Sequence, residues 1–289
     1  MKQVLQIAGI FSGILIFFTS LNAQQPGWVT QVSGTTNNLN ALHFINSATG
    51  YAAGNSGTIL KTTNGGTNWT LLSSNVPTHL FGIYFISVST GFAVGDVGTV
   101  LKTTNGGSTW VTQNSGVPYH LDGIYFSNAS TGVVCGWYGT IIRTTNGGSS
   151  WTQIALSINN RDLNSLCFYD ANNGIAAGLM GTIIKTSNGG VNWVTQTSGV
   201  TVSLESACYL NSSTAIAVGE SGNIRKTTNA GVSWNNQSSG TGNVISGVHF
   251  TDASNGVYVA ENGVIRRTSN GGTSWIAQTS NTSSWLHGV

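Results

Sequence analysis

The side chains able to do chemistry are few and unevenly placed. Among 289 residues there are eight carboxylates. Six of them, Asp96, Asp122, Asp162, Glu205, Glu220 and Glu261, fall in segments that the repeat pattern described below assigns to one face. Asp122 and Glu205 hold the same repeat position two units apart. A pair of this kind could bind a cation. It could also serve as acid and base on a glycosidic bond, which requires a separation of about 5–9.5 Å. The plainer reading is solvated charge that keeps the face soluble. No Cys/His metal spacing, glycine-rich phosphate loop or nucleophile motif occurs, so no catalytic residue, metal or cofactor is expected. Ten Lys and Arg against eight Asp and Glu give a formal charge of +2, which offers no electrostatic case for nucleic-acid binding.

The element that must position these residues is an eight-residue stretch, Thr62 to Trp69 (Thr-Thr-Asn-Gly-Gly-Thr-Asn-Trp). It returns at 103–110, 144–151, 186–193, 227–234 and 268–275. Counting Trp28, the tryptophans recur every 41 residues, with one step of 42. A fixed period of this size signals a solenoid, propeller or array. One unit, His79 to Tyr119, shows the layout. An apolar run from Leu80 to Ile86 reads as a first strand. Gly91–Gly95 and Gly98–Thr103 read as a second and third, joined by the tip Asp96-Val97. Asn105-Gly106-Gly107 is a tight hairpin turn, and Trp110–Gln113 is the fourth strand. Four short antiparallel strands per unit describe a propeller blade.

The expected architecture is therefore all-β: a seven-bladed propeller of four-stranded antiparallel blades filling residues 24–289 as one domain. The blades are 38–78, 79–119, 120–161, 162–202, 203–243 and 244–284. Segments 28–34 and 285–289 are expected to supply the fourth and first strands of a closing blade, incomplete because the chain reads as truncated at its C-terminus. Residues 1–23 read as a signal peptide, with Lys2 before an apolar run from Ile7 to Phe18 and cleavage after Ala23. The mature chain is thus expected to be periplasmic, secreted or held at the cell surface, with no transmembrane segment. Three cysteines, Cys135, Cys167 and Cys208, cannot all pair internally. They read as buried thiols, and spacing alone does not argue a disulfide.

The frame Gly-x-x-Gly-(Thr/Asn/Val)-(Ile/Val)-(Leu/Ile/Arg)-(Lys/Arg)-Thr-(Thr/Ser)-Asn-(Gly/Ala)-Gly-x-x-Trp carries a resemblance. Its second half resembles the Asp-box, or BNR, repeat of sialidase-type propellers, with Asn in place of Asp. The whole frame is similar to the photosystem II stability/assembly factor family, exported members of which occur in non-photosynthetic bacteria. The resemblance implies a seven-bladed ring and a role in assembly. Sialidase activity is not implied, because no arginine cluster or tyrosine–glutamate pair is evident. Xyloglucan-hydrolysing propellers also carry the box, but they place their acids between two propellers.

The repeated residues read as structural. Asn64, Asn105, Asn146, Asn188, Asn229 and Asn270 are spread around a ring, whereas a site requires convergence. They are expected to satisfy turn amides, with Trp69, Trp110, Trp151, Trp193, Trp234 and Trp275 packed behind them. The cation before each box, Lys61, Lys102, Arg143, Lys185, Lys226 or Arg267, reads as an apolar stem with a rim charge or as a basic docking ring. Function is expected where repeats differ. The tips of the third and fourth blades expose Trp137, Tyr138, Leu179 and Met180. His79, Phe81, Tyr119 and His120 lie beside them, and Asp122 and Glu205 near the channel mouth. Apolar tips of this kind mark a binding surface. The expected function is an exported non-catalytic scaffold for a protein partner or surface glycan. The alternative is a glycoside hydrolase using the channel-mouth carboxylates.

Overall fold

The computed structural model describes residues 14–18, 27–158 and 161–289. Most of the expected leader, 1–23, lies outside the described residues. Within them the chain forms six sheets of four antiparallel strands, each in simple sequence order. Blade two is typical, with strands Leu80–Phe85, Gly91–Gly95, Val100–Thr103 and Val111–Gln113. A short 3-10 turn, Asp96–Gly98, joins its second and third strands. Each blade's first strand packs on the first strand of the next.

The blade count corrects the expectation of seven. The described residues contain six four-stranded blades, and no seventh is built. Trp28–Val32 is a strand, as expected, but it pairs with Ile14–Phe18 in a separate two-stranded sheet. The segment 285–289 forms no strand. The physical reason is pairing: a first strand needs a second beside it, and a five-residue segment has none to bond. The two segments still meet. Leu286 is fully buried with Trp28 against Val257, Val259 and Ile265 of blade six.

The box works as a local clamp. In blade three, Thr144 Oγ1 accepts from Gly148 N–H at 2.9 Å and donates to Asn146 Oδ1. Asn146 Oδ1 also accepts from Ser150 N–H at 3.0 Å. Asn146 Nδ2 donates to Ser150 Oγ at 2.8 Å, and Asn105, Asn229 and Asn270 make the same bond to Thr109, Ser233 and Ser274. Behind the turn, Trp110 meets Phe85 edge-on with centroids 5.9 Å apart, and Trp69, Trp193 and Trp275 pack likewise on Phe44, Phe168 and Phe250.

The repeated cation latches blade to blade. Lys102 Nζ donates to Gly147 O at 2.7 Å, in the next blade's turn. Lys61, Arg143, Lys185 and Lys226 do the same to Gly106, Gly189, Ala230 and Gly271. Lys61 and Lys102 lie over the rings of Tyr51 and Phe92.

Candidate functional site: the tip face and channel mouth

Each blade's first strand carries a register shift after its first residue, between Leu80 and Gly82 in blade two and Leu121 and Gly123 in blade three. The extra residue is Asn40, Phe81, Asp122, Asn164, Glu205 or Ser246 in blades one to six. A bulge re-aims a side chain out of the pleat. Here all six extra residues line one central cavity of about 500 Å³, together with Trp285 and His287. The sequence carried the signal. Leu80 and Ile83, like Leu121 and Ile124, are three apart within a strand, whereas residues on one face of a regular strand are two apart. The fold places Asp122 and Glu205, expected near the channel mouth, on the lining of this cavity.

The tips are held firmly. Their second residues, Val97, Tyr138 and Met180 among them, are left-handed with φ of 55°, 55° and 56°. Trp137 N–H donates to His120 O, and Leu179 N–H to Asp162 O, both at 2.9 Å. Asp162 also accepts Tyr138 N–H on its carboxylate at 2.8 Å, so one residue braces the tips of blades three and four. Trp137, Tyr138, Leu179 and Met180 are 42%, 55%, 41% and 50% exposed, which puts the apolar tips in solvent.

The expected site residues gather around His120. Its ring stacks parallel to Trp137, with centroids 4.5 Å apart, and lies 3.9 Å from Phe81 on the other side. Tyr119 leans on Tyr138 at 5.0 Å. His79 packs edge-on to Phe81, and its Nδ1 accepts Ser56 N–H. His120 Nδ1 meets Asp96 Oδ1 at 2.8 Å, and Nε2 meets Asp122 Oδ1 at 3.1 Å. This aspartate–histidine–aspartate bridge runs from a tip to the channel, and sequence reasoning did not foresee it, because it joins two blades across a loop. Leu179 and Met180 stand one blade away. Met180 instead borders a groove of about 590 Å³ with Ile158 and Arg161.

Electrostatics follow from burial and crowding. Burial lowers the His120 pKa, but hydrogen bonds and charge from Asp122, then Asp96, outweigh it and raise the value above 6.5. Burial raises that of Asp122, with His120 opposing and Asp162 and Asp96 reinforcing the rise. Burial, with Glu220 and Asp122 adding to it and Ser203 opposing it, raises that of Glu205. A raised histidine pKa stabilises the fold fully below its unfolded value, and the contribution fades as pH climbs through the folded value. Asp96→Asn is therefore expected to destabilise most below pH 6.5 and progressively less above it. Urea unfolding at several pH values checks this, and a gap that widens with pH would contradict it. By contrast, burial pulls the His43 pKa down to about 4, so its NMR titration should show a neutral ring at pH 6.

Neither channel carboxylate stands free as an acid–base pair. Asp122 Oδ1 is taken by His120, and Glu205 Oε2 accepts Asn164 Nδ2 at 3.2 Å. The arginines do not converge. Arg143 serves Gly189 O, Arg225 serves Ser198 and Trp234 O, and Arg266 serves Gly240 O, each in its own blade or an adjacent one. All three cysteines are free thiols. Among the described residues, no group of three or more His, Cys, Asp or Glu is arranged to hold a metal ion, and no helix is long and apolar enough to cross a membrane.

Fold and site together define a BNR-type β-propeller whose tips form an aromatic face. The sequence matches the family model described as "Photosynthesis system II assembly factor YCF48" over residues 67–231 and 156–288, and the chain belongs to that family. No curated protein matches the sequence. A solved structure of YCF48 bound to a D1 peptide is 17% identical with a TM-score of 0.71, covering 84% of this chain and 82% of that one. YCF48 from Cyanidioschyzon merolae is also 17% identical with a TM-score of 0.71, over 86% and 87% of the two chains. A GH74 xyloglucanase from Xanthomonas campestris is 10% identical with a TM-score of 0.68, covering 94% of this chain and 54% of that one. At these identities the likenesses show the fold alone.

Proposed function

We propose that this chain is an exported, non-catalytic assembly scaffold that binds a segment of a protein partner across the tips of blades two to four. One observation carries the reading: Trp137, Tyr138, Leu179 and Met180 are exposed at tips locked by Asp162, with Tyr119 and the Phe81–His120–Trp137 stack beside them. Rigid, solvated aromatic anchors lose little entropy on binding and are the residues that dominate interfaces. Family membership supports the assembly role, and a peptide complex of a YCF48 relative supports the kind of ligand. A surface glycan and a glycoside hydrolase have only the shared propeller fold in their favour.

Selection of a displayed random-peptide library on the full chain should yield binders. Trp137→Ala with Leu179→Ser should weaken them by about tenfold or more, the scale of a lost interface anchor. Unchanged affinity, with thermal unfolding also unchanged, would move the site elsewhere. Export rests on the leader at residues 1–23. N-terminal sequencing of protein from the exported fraction should begin at Gln24, and an intact Met1 there would remove that part of the proposal.

A further inference from the structure

The channel mouth holds one carboxylate oxygen that the fold does not use. At the bulge position, Asn40 and Asn164 donate side-chain amides to the next blade, to Leu80 O at 2.9 Å and Leu204 O at 3.2 Å. An ionised carboxylate has no proton for that bond. Asp122 occupies the position in blade three, and the matching acceptor, Leu163 O, is met instead by the Cys135 thiol at 3.5 Å. Asp122 Oδ1 receives His120, but Oδ2 is buried with no hydrogen-bond partner among the described residues. A buried acceptor left without a donor is destabilising.

The other carboxylates of this face differ. Asp96 receives His120, Asp162 receives Tyr138 N–H, Glu220 receives Ser203 N–H and Glu261 receives Val244 N–H. Among the described residues, Asp122 and Glu205 are the side-chain carboxylates that line the cavity, and its lining includes no Lys or Arg. Its one histidine, His287, is kept towards the neutral form by burial. Asp122, paired on one oxygen with His120, and Glu205 thus share a polar cavity to which the described lining supplies no Lys or Arg.

We infer that the channel mouth receives one cationic side chain, a lysine or an arginine, from the protein partner, held between Asp122 and Glu205 beside the Phe81 ring. Such a group brings N–H donors and offsets the charge of the two carboxylates. Much of the desolvation that opposes a buried ion pair has already been spent on the acids in folding. A flanking aromatic face adds cation–π attraction. The inference rests on the protein-binding reading above and names the chemistry of the residue that the partner inserts.

The test uses Nα-acetyl-lysine methylamide, Nα-acetyl-arginine methylamide and the neutral Nα-acetyl-norleucine methylamide. Each is titrated into the full chain while the backbone amides of residues 121–123 and 204–206 are followed by NMR. A cationic probe should give saturable shifts at these amides, at least about tenfold tighter than norleucine. Asp122→Asn with Glu205→Gln should erase that preference, while Asp170→Asn, an exposed turn carboxylate, should keep it. Equal binding of norleucine, no saturable shift up to the solubility limit, or an unchanged preference in the double variant would overturn the inference. Calcium chloride shifting the same amides where neither cationic probe does would assign the cavity to a metal instead. If library peptides bind through Trp137 and Leu179 while the probes fail, only this inference falls. If the probes bind and no peptide does, the partner reading falls instead.

Discussion

Phe92→Ala should cost about 3–5 kcal/mol, the usual range for deleting a buried aromatic ring. Phe92 lies on the second strand of blade two and is fully buried. Its ring stacks on Phe126 of blade three with centroids 4.3 Å apart and meets Trp151 edge-on at 6.4 Å. It also fills the space beneath the next blade's turn, where a Cβ on Gly148 would lie 2.6 Å from the ring. The substitution therefore opens a void between two blades, and the clamp holding 144–151 limits collapse into it. Stabilities of native domains are about 5–15 kcal/mol, so the variant should be close to unfolding. Urea denaturation should show a lower midpoint, with tryptophan fluorescence reporting the seam. A loss below about 1.5 kcal/mol would mean that the turn relaxes into the space.

Gly98→Ala should cost about 2–5 kcal/mol, combining a left-handed backbone penalty with overpacking. Gly98 has φ +67°, and a Cβ there would sit 1.8 Å from Val117 O. That carbonyl belongs to the segment leading into blade three, which Gly98 N–H binds at Tyr119 O, 2.7 Å away. Gly116→Ala separates the two contributions. It is also left-handed, at φ +76°, but has nothing within 4 Å of the added carbon. It should lose only the backbone share, about 1–2 kcal/mol. Equal losses at the two positions, measured by urea unfolding, would show that the tip shifts to absorb the methyl group. The contact recurs at Gly57, Gly181, Gly222 and Gly263, each against a carbonyl 1.9–2.0 Å from the added Cβ. The bracing of five tips thus has this local steric basis, whereas at Gly139 of blade three the nearest atom is in the Ile158 side chain, 3.1 Å from the added Cβ.

The repeat fixed most of the architecture before any coordinates. The 41-residue spacing of tryptophan, the Asn-Gly-Gly turns and the four apolar runs per unit are local signals, and four-stranded blades follow from them. Ascribing a structural role to Asn146 and its equivalents needed only the observation that they do not converge. The exposed tips were legible too, because Trp137-Tyr138 and Leu179-Met180 depart from the Asn-Ser and Glu-Ser of other blades. The fold gathers Phe81, Tyr119, His120, Asp122, Trp137 and Tyr138 and leaves Met180 at a separate groove one blade away.

Tertiary structure decided the rest. Whether Trp28–Val32 pairs with a C-terminal strand or with Ile14–Phe18 is a choice between partners far apart in sequence, and it produced six blades where seven were expected. The recurring cation was open between a docking ring and a packed stem. It proved to be a latch to a turn 45 or 46 residues ahead, which no local pattern encodes. The bulges that aim Asp122 and Glu205 into the channel arise from strand register, and register is a property of two strands rather than one. The Asp96–His120–Asp122 bridge depends in turn on the packing of neighbouring blades. Sequence alone thus determined what each unit is, because hydrophobic period and turn chemistry act over a few residues. Only the packed ring decided which side chains face one another, because that requires contacts between units about forty residues apart.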